Sequence, residues 1–138
     1  MAELLGFSSQ VPNPVTVANA VNIPVPLAPG GVGLAYAGVN VTRGPNAVRL
    51  IATIGVQPGA MSTNVLIRFL RDGTNTIFYA LHRLENNFNE HNIITLQYID
   101  QNVSIGVHDY AVSIENQTAA NQAFVVGPVT FSVEAIGL

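Results

Sequence analysis

Cysteine, lysine and tryptophan are absent, and only 9% of the residues carry a charge. Without cysteine the chain can form neither disulfides nor thiolate metal sites. Without lysine a phosphate-binding P-loop is excluded, and all five cations are arginines. An average soluble domain is about 25% charged. Ordinary β proteins use charge, above all lysine, to stop sheet edges from pairing with other chains. Here Asn, Gln, Thr, Ser and Ala fill the polar positions instead. That composition implies a surface meant to be covered by copies of the chain itself. The formal net charge is −3. With no basic patch to neutralise phosphates, nucleic acid is not an expected partner. No apolar run approaches the length of a membrane span, so membrane insertion is not expected either. Met1 to Phe7 carries Glu3 and no cation, which does not fit a secretory signal.

What the chain has is alternation. At 138 residues and 49% hydrophobic, it fits one domain able to bury about two-thirds of its unfolded surface. No helical period is sustained, and period 2 dominates. Val48, Leu50, Ala52, Ile54 and Val56 alternate with polar or small residues. So do Val65, Ile67 and Phe69, then Ile94, Leu96 and Tyr98. Tyr110, Val112 and Ile114 face away from Asp109, Ser113 and Glu115. Val129, Phe131, Val133 and Ala135 face away from Thr130, Ser132 and Glu134. Each run has one core face and one polar face, as in an antiparallel sheet packed on one side. Ile77 to Leu84 is apolar on both faces, which predicts cover on both. Asp72-Gly73 reads as a tight hairpin, and Gln57-Pro58-Gly59 as a turn. Gly30-Gly31-Val32-Gly33 also reads as a turn. About eight strands at this spacing predict an all-β antiparallel sandwich of jelly-roll type.

Residues 1–30 differ from the rest. Five of the eight prolines lie there, among them Pro12, Pro14, Pro24 and Pro26 at alternate positions. Residues of one parity in a strand turn their backbone groups to the same edge, so these prolines strip donors from one edge only. Val21, Ile23, Val25 and Leu27 keep the other edge and share one face. Val11, Val15 and Val17 repeat the pattern. The expectation is a Pro-rich extended arm over 1–30 that pairs with a neighbouring subunit, followed by a jelly-roll domain over 31–138.

The search for chemistry returns no catalytic, cofactor-binding or metal residues. No nucleophile elbow is present, and no serine has a local activating context. Glu85, Glu90 and His91 lack metal-ligand spacing. His108 and Asp109 are adjacent and would face opposite sides of a strand. His82, inside an apolar strand, reads as a hydrogen-bonded core or interface histidine. Arg49, Arg68, Arg71 and Arg83 fall in strand regions and are candidates for ion pairs across subunits with Asp100, Asp109, Glu115 or Glu134. Three Asn-x-Ser/Thr matches, at Asn40, Asn102 and Asn116, read as chance in so Asn-rich a chain.

Leu96-Gln97-Tyr98-Ile99-Asp100 followed by Gly106-Val107-His108-Asp109-Tyr110-Ala111-Val112 resembles a strand–turn–strand unit of tumour-necrosis-factor-like jelly rolls of bacteria and phages. Arg71-Asp72-Gly73 and Val129 to Ala135 are similar to that family too, and the resemblance covers roughly residues 33–136. It implies subunits that trimerise or pack by adding strands to one another. Similar jelly rolls occur on the outer layer of bacterial spores, where proteins made in the mother cell need no secretory signal. This chain lacks their collagen repeats and the cysteines of many coat proteins. The expected function is a non-enzymatic structural subunit that assembles with itself into a surface layer, fibre or appendage. The expected location is a cell or spore surface. The alternative is a binding module, either a carbohydrate-binding sandwich or a phage fibre or head-decoration domain. A sugar-binding face would show exposed aromatics, whereas Tyr and Phe here are read mostly at core parity.

Overall fold

The computed structural model describes residues 2–13, 23–24, 31–85, 91–118 and 121–138. They form β1 (Glu3–Asn13), β2 (Ile23–Pro24), β3 (Val32–Val41), β4 (Asn46–Pro58), β5 (Thr63–Arg71), β6 (Asn75–Leu84), β7 (Asn92–Gln101), β8 (Gly106–Asn116) and β9 (Ala123–Gly137). One sheet has the order β1-β9-β4-β7, with the short β2 also on β9. The other has the order β3-β8-β5-β6. Neighbours are antiparallel throughout. β5 and β6 form a hairpin within one sheet, while β3–β4, β4–β5, β7–β8 and β8–β9 each cross between sheets. Two four-stranded sheets linked this way make a jelly roll.

The alternation read from the sequence sets the core. Val48, Leu50, Ala52, Ile54 and Val56 of β4 are fully buried, as are Val65 and Phe69 of β5 and Val112 and Ile114 of β8. Phe131 of β9 stacks on Phe69 of the opposite sheet at 5.8 Å between ring centres, and Phe69 stacks on Phe78 at 5.6 Å. Phe78 in turn meets Tyr98 at 5.1 Å, among the described residues the one ring contact between the β6 and β7 edges of the two sheets. Leu96 and Tyr98 are only half-buried, because β7 is a sheet edge.

Several expectations are corrected. An eight-stranded jelly roll cannot be made from 31–138 alone, which supplies seven strands. The eighth is β1, paired with β9 of its own chain from Glu3↔Gly137 to Asn13↔Val129. The domain boundary at residue 30 therefore does not hold for residues 3–13, and Ile23 also pairs within the chain, with Val125. Val11 lies on this edge strand with its side chain exposed. Val15, Val17, Val21, Val25 and Leu27 lie outside the described residues. β6 is an edge strand whose outer face is left uncovered by the described residues, with Tyr79 67% and Leu81 62% exposed. Val32 and Gly33 open β3 rather than a turn. Glu115, at polar parity, is nevertheless buried, where its Oε1 accepts from Arg68 Nη2 at 2.8 Å and from Gln117 Nε2 at 2.6 Å. Most of the described Tyr and Phe do lie on the core side, with Phe69, Tyr110 and Phe131 buried and Phe78 and Tyr98 packed against them, whereas Phe7, Tyr36 and Tyr79 are exposed.

Candidate functional site

The described polar groups concentrate where three connections meet at one end of the sandwich. The β5–β6 turn contributes Asp72, and its left-handed backbone (φ 52° at Asp72, 95° at Gly73) suits a short polar residue followed by glycine. The turn is tied to β8: Asp72 N–H donates to Asp109 O at 2.7 Å, and Asp109 N–H donates to Asp72 Oδ1 at 3.1 Å. The β7–β8 loop is tied to β4 by the buried Asn46, whose amide substitutes for a backbone pair. Val103 N–H donates to Asn46 Oδ1 at 2.8 Å, and Asn46 Nδ2 donates to Val103 O at 2.8 Å and Arg43 O at 3.1 Å.

Asp100 ends the core-facing row Ile94, Leu96, Tyr98 of β7, so strand parity alone carries a carboxylate into the interior. Its Oδ2 accepts from Arg71 Nη1 at 2.6 Å and from the buried Tyr110 hydroxyl at 2.9 Å. Burial, then the hydrogen bond to Asp100, push the Tyr110 phenol far above its ordinary range. The Asp100 hydrogen bond likewise raises Arg71, against the effect of burial. The arrangement is a fixed anion held between a cation and a hydroxyl donor.

His108 sits beside it. Its Nδ1 lies 2.7 Å from Asp72 Oδ2, and its Nε2 lies 2.8 Å from Ser104 O and 3.2 Å from Ser104 Oγ. Ser104, His108 and Asp72 thus have the connectivity of a hydrolase triad. The proton positions argue against that chemistry. A carboxylate and a carbonyl oxygen only accept, so with both contacts made each ring nitrogen donates. Nε2 then has no lone pair with which to take a proton from Ser104, as a general base must. When protonated, the ring is instead a brace between the β5–β6 turn and the β7–β8 loop. Burial works against this charge, but the bonds to Asp72 and Ser104 and the charge of Asp72 outweigh it, with Arg71 opposing, and the net shift of His108 is upward. Burial also opposes the Asp72 anion. The His108 bond, the Asp109 N–H and the nearby cations prevail, and Asp72 is lowered.

These directions give a pH prediction. A raised His108 stabilises the fold fully below its unfolded pKa of about 6.5, and that contribution is lost as pH rises through the folded value. A lowered Asp72 contributes above its unfolded value of about 3.9, and the contribution is lost as pH falls through the folded one. The brace is therefore strongest in mildly acid solution. Melting temperature should fall from mildly acid to alkaline pH, and His108→Gln should flatten that fall. An unchanged slope in His108→Gln would show that the ring does not titrate as a brace.

The polar groups line an open cleft of about 500 Å³, with Arg71, Asp72, Asn75, Asp100, Asn102 and Ser104 on its walls. Among the described residues no three His, Asp or Glu side chains converge as a metal site requires. Glu90 lies outside the described residues, and Glu85 is bonded to Arg83. His82 is half-buried on the core side of β6, opposite Val65. Asn116, in one of the three glycosylation matches, is buried with its amide donating to Asn121 O, so it presents no free acceptor.

The arginines do find acids, but on their own chain. Arg49 meets Glu134 at 3.1 Å, Arg68 meets Glu115 at 2.8 Å, Arg71 meets Asp100 at 2.6 Å and Arg83 meets Glu85 at 3.2 Å. The reason is proximity: Arg49 stands directly across from Glu134 on adjacent strands, where opposite charges attract. The brace was not visible in sequence, because Asp72 and His108 are 36 residues apart and only the sheet joins them. The one available signal was the Asp-Gly turn, which carries an acid to the end of a strand pair.

The fold defines an eight-stranded antiparallel jelly roll. No protein-family model matches this sequence, and no curated protein matches it. Among solved structures, one of infectious bursal disease virus, Gx strain, is similar over 99% of this chain and 32% of its own, with TM-score 0.55 and 7% identity. This chain thus spans about a third of that one. An arabinose-bound α-L-arabinofuranosidase aligns over 97% of this chain and 23% of its own at TM-score 0.44 and 13% identity. A CBM4 structure aligns over 71% of this chain and 66% of its own at TM-score 0.39 and 10% identity. At such identities what is shared is the fold. Among the described residues no helix is long and apolar enough to cross a membrane.

Proposed function

We propose that this jelly roll is a structural subunit that assembles with copies of itself into a surface layer, fibre or appendage. The observation that carries the reading is its exposed apolar surface. Phe7, Tyr36, Tyr79, Leu81 and Ile93 are each at least 60% exposed, and they lie on both sheets. Few charges separate them, since each arginine is neutralised by an acid of the same chain. Scattered apolar residues are ordinary on a surface, but greasy faces with so little charge mark interaction surfaces. The brace and the Asn46 clamp suit the same role, because they stiffen the loops at one end of the subunit. A jelly roll of similar fold occurs in a structure of a virus. The resemblance to spore-surface jelly rolls supports a place on a spore or cell surface.

A second reading has one observation in its favour. Tyr36 and Tyr79 stand exposed on the same sheet, at its two edges, as a glycan-binding face would require. Sedimentation in dilute neutral buffer and electron microscopy of the purified protein test the first reading. Oligomers, fibres or layers are expected. A folded monomer at micromolar concentration that binds a glycan array would establish the second in its place.

A further inference from the structure

The two sheets end on the same side of the sandwich in β6 and β7, each paired along one edge only among the described residues. β7 is the less guarded of the two. It runs ten residues opposite β4 without a register shift, from Ala47↔Gln101 to Val56↔Asn92. It contains no proline, glycine, lysine or arginine, and its single charge, Asp100, is buried against Arg71 and Tyr110. Natural edges carry charges, prolines or bulges to prevent pairing, and β7 has none of these on its open side.

The direction of its backbone groups follows from one bond. Asn102 N–H donates to Asn46 O at 3.0 Å, so Asn46 turns its backbone toward the β7 side. Alternation then points Val48, Leu50, Ala52 and Ile54 of β4 at Asp100, Tyr98, Leu96 and Ile94. The intervening residues Ile93, Thr95, Gln97 and Ile99 turn their N–H and C=O groups to the open side. Their side chains lie on the outer face and are exposed. In order they are apolar, polar, polar, apolar, a pattern that reads the same in both directions.

We propose that β7 pairs antiparallel with β7 of a second copy, about a two-fold axis at Leu96, joining two four-stranded sheets into one of eight. This rests on the self-assembly reading above. In this register Ile93 faces the second copy's Ile99, and Thr95 faces its Gln97. On the inner side Leu96 meets Leu96, and Ile94 meets Tyr98. Every apolar side chain meets an apolar one and no like charges meet. The nearest exposed charge in the ladder, Arg49 opposite Ile99, is already paired with Glu134. An axis perpendicular to the sheet also brings the two β6 edges toward each other, with Tyr79 and Leu81 beside the seam. Eight residues at about 3.4 Å each, over a side roughly 20 Å deep, give each copy roughly 500 Å² of contact. The pair then reaches the about 1,000 Å² that a specific interface needs. A two-fold contact closes on itself, so a layer or fibre needs a second contact, for which the exposed Leu4, Phe7 and Tyr36 on the far edges are available.

Two measurements test the register. Gln97→Pro removes a donor that the chain's own ladder does not use, which edge strands tolerate. The smallest species in solution should halve in mass while the circular dichroism stays that of a β fold. Because the chain has no cysteine, an introduced thiol can report contacts. Leu96→Cys should form disulfide dimers on mild oxidation, since a pair on the axis lies within disulfide reach. Ile93→Cys and Ile99→Cys should each fail to cross-link alone, yet link to each other when the two variants are mixed. If wild type is oligomeric but Leu96→Cys does not cross-link and Gln97→Pro keeps its mass, the β7 contact is wrong and assembly uses another surface, such as β6. If wild type is monomeric, the self-assembly reading fails and this contact with it. Should Gln97→Pro not fold, the cross-linking pattern alone decides.

Discussion

Phe131→Ala is expected to lower stability by about 3–5 kcal/mol, while Ser132→Ala, one residue along, should change it by less than about 0.5 kcal/mol. Both stand on β9 in the middle of a sheet, between β1 and β4. Phe131 is 1% exposed and faces the opposite sheet. Its ring begins a stack that runs through Phe69 and Phe78 to Tyr98, from the centre of one sheet across to the open side of the sandwich. Removing it leaves a cavity that β4 and β9 cannot close, because both are pinned by ladders on either side. Ser132 points outward between Ser9 and Ile51, where a lost hydroxyl is replaced by water. Urea unfolding of the two variants measures the contrast. Equal losses would mean that the two faces of β9 are assigned wrongly.

The second large effect is expected at Asp100. Asp100→Ala should cost about 3 kcal/mol, because a buried hydroxyl loses its charged acceptor and a charge-assisted bond to Arg71 is lost together with it. The penalty should fall mainly on Tyr110, which is fully buried, whereas Arg71 keeps about a quarter of its side chain in water and can be solvated there. Tyr110→Phe alone should therefore cost only about 1 kcal/mol. Adding it to Asp100→Ala should recover part of the larger loss, since no unpaired hydroxyl remains. A double variant as unstable as the sum of the two single ones would show that Asp100 and Tyr110 act independently, contrary to the 2.9 Å bond between them.

The N-terminal strand bears on folding as well as on assembly. As a free arm, residues 1–30 would be dispensable for folding. With Glu3–Asn13 paired to β9 and Gln10 Oε1 accepting from Tyr36 N–H at 2.7 Å, the first strand bridges the two sheets along their other open side. The side closed in this way is opposite to the one that β6 and β7 leave open.

The sequence by itself determined the parts of this protein that depend on neighbours two residues apart. A side-chain period of 2 is a local property of an extended chain, so the buried sets of β4, β5, β8 and β9 could be read residue by residue. The Asp72-Gly73 hairpin was legible for the same reason, since a left-handed turn has its own residue preferences. The tertiary structure alone decided which strands are neighbours. Alternation is the same for a central strand and an edge, so nothing local in Ile77 to Leu84 told that Tyr79 and Leu81 would lie uncovered. Prolines at alternate positions announced an edge, but not whose edge it would join, and pairing assigned residues 3–13 to the chain's own β9. The arginines were recognisable as ion-pair formers, yet their partners depended on register between strands far apart in sequence. The brace at His108 exists only because the order β3-β8-β5-β6 sets the β5–β6 turn beside β8, where an aspartate and a histidine 36 residues apart meet at 2.7 Å.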